Sequence, residues 1–225
     1  MNDGPVLGLR TEDGARLGAL LWEFGPGWRM ISSAVLGGGI GPREWVLNAQ
    51  VVAGYSRMDP AEHLAALGPA ASAGVGMMTA AKVERYTLAA DGGVRALATV
   101  GLRVPTWAAA PEGAQDPEPA PLLGHRATVP GTINIIVAVP VPMTDAALVN
   151  AVMTVTEAKT QALAEVGFPG TGTASDAVCV AAPIGSATGE PGEPFGGPRS
   201  TWGARVARAV HSAVRQGADD WDAHR

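Results

Sequence analysis

The sequence predicts an α+β fold, one domain over residues 1–225 in which mixed or antiparallel sheet is covered by helices. Three observations carry this. Short apolar, β-prone runs separated by Gly- and Pro-rich breaks fill the N-terminal half. A strand, one long helix and a second strand follow one another between Pro130 and Val180, and a further helix closes the chain. A Pro-rich stretch at about 108–128 divides the two halves.

Taken in order, Arg16 to Phe24 and Met30 to Leu36 are separated by Gly25-Pro26-Gly27 and predict an N-terminal hairpin. Gly37-Gly38-Gly39 breaks the second strand, and Trp45 to Ala53 resumes an extended pattern around Asn48. Asp59 as N-cap, with Pro60 at the first helical position, starts a helix that runs to about Leu67. Val75 to Thr79 is a strand. Tyr86 to Leu88 and Val94 to Leu102 form a hairpin through Asp91-Gly92-Gly93. Between Ala108 and Ala127, Pro111, Pro117, Pro119 and Pro121 alternate with acidic and small residues, a composition that buries too little surface to order itself. A mobile surface loop is expected there. Beyond it come a strand from Thr132 to Val139, a helix from Thr144 to Val166, a strand from Ala177 to Ala182, a Gly/Pro-rich loop through Pro198, and a helix from Thr201 to about Gln216.

Composition excludes several function classes. The apolar content of 47% is ordinary for a globular core, and the formal charge of −5 comes with no basic stripe. Nucleic acid is therefore not expected as a partner, because phosphate neutralisation needs clustered cations. No apolar run approaches bilayer-spanning length, and the chain begins Met1-Asn2-Asp3-Gly4 with no basic segment leading into an apolar run, so a cytoplasmic protein without a membrane partner is expected. Cys179 is the single cysteine. Its setting in Ala177-Val178-Cys179-Val180-Ala181 reads as inert buried strand.

At 100° per residue, Leu148, Val152, Val155, Leu163 and Val166 form the apolar face of the long helix, with Asn150, Thr154, Glu157, Gln161 and Glu165 opposite. Lys159 falls in the middle of the apolar face. A lysine there must pair with a carboxylate, snorkel to water or lose its proton. Glu157, on the polar face, reads from the wheel alone as solvated. The last helix carries Trp202, Val206, Ala209, Val210 and Ala213 on one face, with Arg208, Ser212 and Arg215 opposite and His211 on the polar side.

No His-x-x-x-His or Cys-x-x-Cys pair and no calcium-loop spacing occurs, and His63, His125, His211 and His224 are scattered, so no metal is expected. Gly37-Gly38-Gly39 lacks a P-loop ending, and a Gly-x-Ser-x-Gly elbow is absent. Hydroxyl and amide chemistry remains. Ser32 and Ser33 stand just before the triple glycine, where backbone can approach a ligand closely; serine pairs in strands are also ordinary. Thr132 opens a strand and Asn134 points to the same side by alternation. The threonine is either a nucleophile, with Asn134 or Asn48 donating to an oxyanion, or simply the first residue of a strand.

Several segments, Ser32-Ser33-Ala34-Val35-Leu36-Gly37-Gly38-Gly39, Asn48, Gly76-Met77-Met78-Thr79-Ala80, Gly131-Thr132-Ile133-Asn134, Thr156-Glu157-Ala158-Lys159-Thr160 and Thr171-Gly172-Thr173-Ala174-Ser175-Asp176-Ala177-Val178, follow one another in a characteristic order. In this order and spacing the chain resembles the adenosylcobinamide amidohydrolases (CbiZ family) from about Trp28 to Val214. The resemblance implies hydrolysis of the amide that joins the corrin-ring propionyl side chain to 1-amino-2-propanol, giving adenosylcobyric acid in corrinoid salvage. Its motifs imply catalytic candidates at Thr132, Asn134, Glu157, Lys159 and Asp176. They imply substrate-binding candidates at Ser32, Ser33, Gly38, Asn48, Thr79, Thr171 and Thr173. Ser175 departs from the threonine expected before the aspartate and retains a hydroxyl. The segment Arg103-Val104-Pro105 is unusual, and nothing is carried over from it.

Amide hydrolysis needs a nucleophile, donors for the oxyanion and a proton for the leaving amine. Lys159 and Asp176 are expected to pair beside Thr132. A fainter similarity of layout, with Thr144-Asp145-Ala146 at the helix start, points toward ornithine acetyltransferases and DmpA-type aminopeptidases. Those proteins generate their nucleophile by self-cleavage, which leaves two forms open here: an intact chain, or one cut at Gly131-Thr132. The expected architecture includes a four-layer helix–sheet–sheet–helix sandwich. Trp28, Trp45 and Trp107 lie near the motifs and either line a broad cleft or pack the core. No cofactor is expected, since the corrinoid is substrate, and a homo-oligomer is compatible with the composition. The alternatives are a corrinoid-binding protein without activity, and an amidohydrolase or acyltransferase with a non-corrinoid substrate.

Overall fold

The computed structural model describes residues 4–114, 131–185 and 192–224. Its strands are β1 (Val6–Glu12), β2 (Ala15–Glu23), β3 (Trp28–Ser32), β4 (Gly39–Pro42), β5 (Trp45–Gln50), β6 (Gly74–Thr79), β7 (Thr87–Asp91), β8 (Val94–Val100), β9 (Ile133–Ala138) and β10 (Ala177–Pro183). The helices are α1 (Pro60–Leu67), α2 (Asp145–Glu165) and α3 (Thr201–Ala223). One sheet has the order β1-β2-β5-β6 and the other β4-β3-β10-β9-β8-β7. Both are mixed. β5 and β6 pair in parallel, as do β9 and β10, with α1 and α2 as their respective crossovers, while the other pairings are antiparallel.

Alternation along the strands builds the layers. On β9, Ile133, Ile135 and Val137 pack under α2 and α3, whereas Ile136 and Ala138 face the first sheet. On β5, Val46 faces the second sheet, and Trp45, Leu47 and Ala49 pack with Leu64 of α1. The result is α1, sheet, sheet, and the α2/α3 pair. That is the expected helix–sheet–sheet–helix order, and it needs an apolar residue on both faces of nearly every central strand.

The predicted N-terminal hairpin is not formed. β2 pairs with β1 and β5, and β3 pairs with β10 and β4, so Gly25-Pro26-Gly27 carries the chain from one sheet to the other. Aromatic packing explains this. Trp22, Phe24 and Trp28 pack in sequence with tilted rings at centroid distances of 5.1 and 4.9 Å, and with Met30 they fill the space between the sheets. Strands β1 and β4 lie outside the runs that the sequence predicts. α3 runs past Gln216 to Ala223 because Ala218 and Trp221 still pack on the core.

Helix termini behave locally. Thr144 Oγ1 accepts from Ala147 N at 3.1 Å, and Ser200 Oγ accepts from Gly203 N at 3.1 Å. Asp59 precedes α1 as expected, with Pro60 at its start, but its carboxylate makes no cap bond and holds the Arg57 guanidinium instead. Thr154, assigned by the wheel to the polar face of α2, is buried and donates to Gly196 O at 2.8 Å. The segment leading into α3 covers that side. The Pro-rich loop expected at about 108–128 lies outside the described residues from position 115 onward.

Candidate active site

One end of the sandwich carries a buried polar cluster. Asn48 on β5 and Asn134 on β9 face each other across the gap between the sheets, both fully buried. Asn134 Nδ2 donates to Asn48 Oδ1 and to Met78 O, each at 2.9 Å, and Asn48 Nδ2 donates to Thr99 Oγ1 at 2.9 Å. Thr99 is the cross-strand partner of Asn134 in the β8–β9 register. These bonds join the two sheets at a point where apolar packing would otherwise continue. Asn134 Oδ1 is buried and has no hydrogen-bond partner among the described residues.

Two residues before Asn134, Thr132 is 3% exposed, and its Oγ1 shares a 2.7 Å hydrogen bond with Ser175 Oγ. Ser175 itself is exposed, so solvent reaches the hydroxyl pair from that side. The adjacent Asp176 is the hub of the cluster. Its Oδ2 pairs with Lys159 Nζ at 2.5 Å and accepts from Thr173 N at 3.2 Å; its Oδ1 accepts from Thr173 Oγ1 at 2.5 Å and from Ile133 N at 2.9 Å. The carboxylate thus ties the start of β9, the turn before β10 and α2 together. Lys159 is held 9% exposed on the apolar side of α2 with its charge directed at this one acceptor. Gly172 is required by close approach, since a Cβ there would run into both Lys159 Nζ and Asp176 Oδ2.

The other candidates occupy distinct positions. Ser32 Oγ donates to Val178 O at 2.9 Å and Val178 N donates to Ser33 Oγ at 3.1 Å, so both hydroxyls seal β3 onto β10 two residues beyond Asp176. Gly38 lies against the Ala34 carbonyl, where a side chain would not fit. Thr79, buried at the end of β6, accepts from Ala81 N at 3.0 Å. Thr171 accepts from Ala108 N at 3.0 Å and donates to Thr106 O at 3.3 Å, bolting the 106–108 segment to the turn. Glu157 is exposed on α2, two residues and about 200° round the helix from Lys159. The structure therefore brings Thr132, Thr173, Lys159 and Asp176 together, links Asn48 to Asn134, and leaves Glu157 on the open surface.

Ser175 and Thr99 enter the network beyond the expected set. Ser175 stood out only as a motif departure; Thr99 had no local signal, because its role comes from its position opposite Asn134. One signal favouring Lys159 lies in the composition: only two of the 16 basic residues, Lys82 and Lys159, are lysines. Cys179 is fully buried, and burial pushes its thiol up to about 12, consistent with an inert residue. Among the described residues no three His, Cys, Asp or Glu side chains converge as a metal site, and no helix is long and apolar enough to cross a membrane.

The family model described as adenosylcobinamide amidohydrolase matches residues 7–225, nearly the whole chain. The chain belongs to the adenosylcobinamide amidohydrolase (CbiZ) family. A protein named adenosylcobinamide amidohydrolase from Halobacterium salinarum is 38% identical over 181 residues, 80% of this chain and 68% of its own length. Another of the same name from Methanosarcina mazei is 28% identical over 195 residues, 83% of this chain and 88% of its own. The family match spans both halves of the chain, and so includes both Asn48 and the Thr132–Asp176 unit.

Proposed function

We propose that the chain hydrolyses adenosylcobinamide to adenosylcobyric acid and 1-amino-2-propanol, through the cluster built on Thr132, Lys159 and Asp176. It is a corrinoid-salvage amidohydrolase. The observation that carries the mechanism is the contact between a hydroxyl pair, Thr132 and Ser175, and a turn whose Asp176 fixes a buried lysine. Thr132 Oγ attacks the amide carbonyl carbon, and its proton leaves through the Ser175 hydroxyl to solvent. The tetrahedral oxyanion then collapses, the C–N bond breaks, and the amine departs with a proton supplied by the Lys159 ammonium. Water hydrolyses the resulting ester, releasing the carboxylate and restoring Thr132, and a proton from solvent recharges Lys159.

Asp176, with four protein donors, acts as the positioning carboxylate that aims Lys159. A lysine suits this role and an arginine does not, because the guanidinium does not give up its proton in proteins. Asn48 and Asn134, fully buried with their amides bonded to each other, to Met78 O and to Thr99, hold the β9 end in register. Glu157, exposed about 200° round α2 from Lys159, stands apart from this cluster. The corrinoid is the substrate and no metal or further cofactor is called for. A cytoplasmic location is part of this proposal, supported by the single free thiol.

Incubation of the purified chain with adenosylcobinamide, with mass detection of adenosylcobyric acid, tests the reading. Formation of the acid by wild type and its loss in Thr132→Ala supports it. Corrinoid binding without product would make the chain a binder instead.

A further inference from the structure

We infer that Trp107 is the platform on which the corrin macrocycle rests while its amide arm is cleaved, so that it governs substrate affinity and not bond making; this rests on the amidohydrolase reading above. The Trp107 side chain is 58% exposed, and among the described residues it stacks with no ring and meets no cation. Its backbone, by contrast, is fixed on both sides. Thr106 faces Gly172 in an isolated antiparallel bridge, Thr106 N donates to Gly172 O and Thr171 N to Thr106 O at 2.9 Å, and Ala108 N donates to Thr171 Oγ1 at 3.0 Å. An exposed indole on a pinned segment contributes apolar contact with little ordering cost on binding.

Its place relative to the chemistry identifies the occupant. Gly172, opposite Thr106, is the residue packed against Lys159 Nζ and Asp176 Oδ2, so Trp107 stands on the order of 10 Å from that pair, one strand spacing and one residue step away. The scissile amide sits at the end of a short propionyl arm. When its carbonyl reaches Thr132 and Lys159, the broad, largely apolar ring must lie beside the cluster and not over it. The other tryptophans near the motifs are committed elsewhere. Trp45 is 4% exposed and donates through Nε1 to Ser72 O at 3.1 Å, and Trp28 packs against Phe24 with the rings tilted. Among the described residues this indole stands alone beside a polar cluster, too small an apolar patch for a protein partner.

The test compares wild type, Trp107→Ala and Trp107→Phe as full chains. It uses steady-state hydrolysis of adenosylcobinamide and calorimetric binding of adenosylcobyric acid, the product, which is not turned over. Trp107→Ala is expected to raise KM and the product Kd by about tenfold or more, the change that follows from losing roughly 60 Å² of apolar contact, while kcat stays within about threefold. Trp107→Phe should retain most of the affinity. Thermal melting should be unchanged in both, since the side chain is exposed. KM and Kd within about twofold of wild type in Trp107→Ala, or a loss confined to kcat, would overturn the inference while leaving the amidohydrolase reading intact. A wild-type chain that neither cleaves adenosylcobinamide nor binds the product would overturn both.

Discussion

Replacing Lys159 by methionine separates the chemistry of the cluster from its contribution to folding. The Lys159 and Asp176 side chains are 11% and 12% exposed, so the pair is largely removed from water. Stripping one partner from a buried ion pair costs about 3–5 kcal/mol when the other charge is left with nothing. Here Asp176 keeps Ile133 N at 2.9 Å, Thr173 N at 3.2 Å and Thr173 Oγ1 at 2.5 Å. The expected loss is therefore that of one charge-assisted hydrogen bond, about 1.5–3 kcal/mol. For a chain of 225 residues this lowers the melting temperature by roughly 3–12 °C. A positioned proton donor is worth more than that, roughly 10²- to 10⁴-fold in turnover. The assay is the rate of adenosylcobyric acid formation at saturating substrate, well below the melting temperature of each variant, with circular dichroism melts alongside. Lys159→Arg is the companion variant, because it keeps the cation but does not release a proton. Turnover of Lys159→Met within about threefold of wild type, or full activity in Lys159→Arg, would refute the proton-donor role and leave Lys159 as a structural cation.

Thr132→Ala is expected to abolish hydrolysis while adenosylcobinamide binding survives, with Thr132→Ser partly active; substantial activity in the alanine variant would transfer the attack to water. Intact-mass measurement of the purified protein is expected to give one species near 22.8 kDa, whereas two fragments divided at Gly131–Thr132 would show self-cleavage. Glu157→Gln should leave turnover within about threefold of wild type and the melting temperature unchanged, because the side chain lies on the open surface of α2 away from the cluster, and a loss of tenfold or more would extend the site to that face. Gly172→Ala, whose added methyl runs into Lys159 and Asp176, is expected to cost about 1–3 kcal/mol in stability and to lose activity in parallel with Lys159→Met. Because burial pushes the Cys179 thiol up to about 12, the thiolate fraction at pH 8 is negligible in the folded chain. Iodoacetamide should label Cys179, seen as a mass shift, only after unfolding.

What the sequence by itself determined is what neighbouring residues decide among themselves. The helix starts near Thr144 and Thr201, the proline that opens α1, the Asp91-Gly92-Gly93 hairpin and the strand–helix–strand unit from Thr132 to Ala182 are all set by local hydrogen bonding and periodicity, and each appears where those signals stand. The inward direction of Lys159 was also legible, because a lysine on an apolar stripe requires a partner within reach. Partner choice across long separations was not. Strands β2 and β3 look like a hairpin from their turn, yet each gains more by joining a different sheet and closing an aromatic cluster between them. Thr154 and Glu157 share one stripe of α2 on the helical wheel; the segment before α3 buries the first and leaves the second in water. Asn48 and Asn134 are 86 residues apart, and only the stacking of the two sheets makes them a single hydrogen-bonded unit. A one-dimensional pattern records which face a residue turns, and the face opposite it is chosen by the total burial of the whole chain.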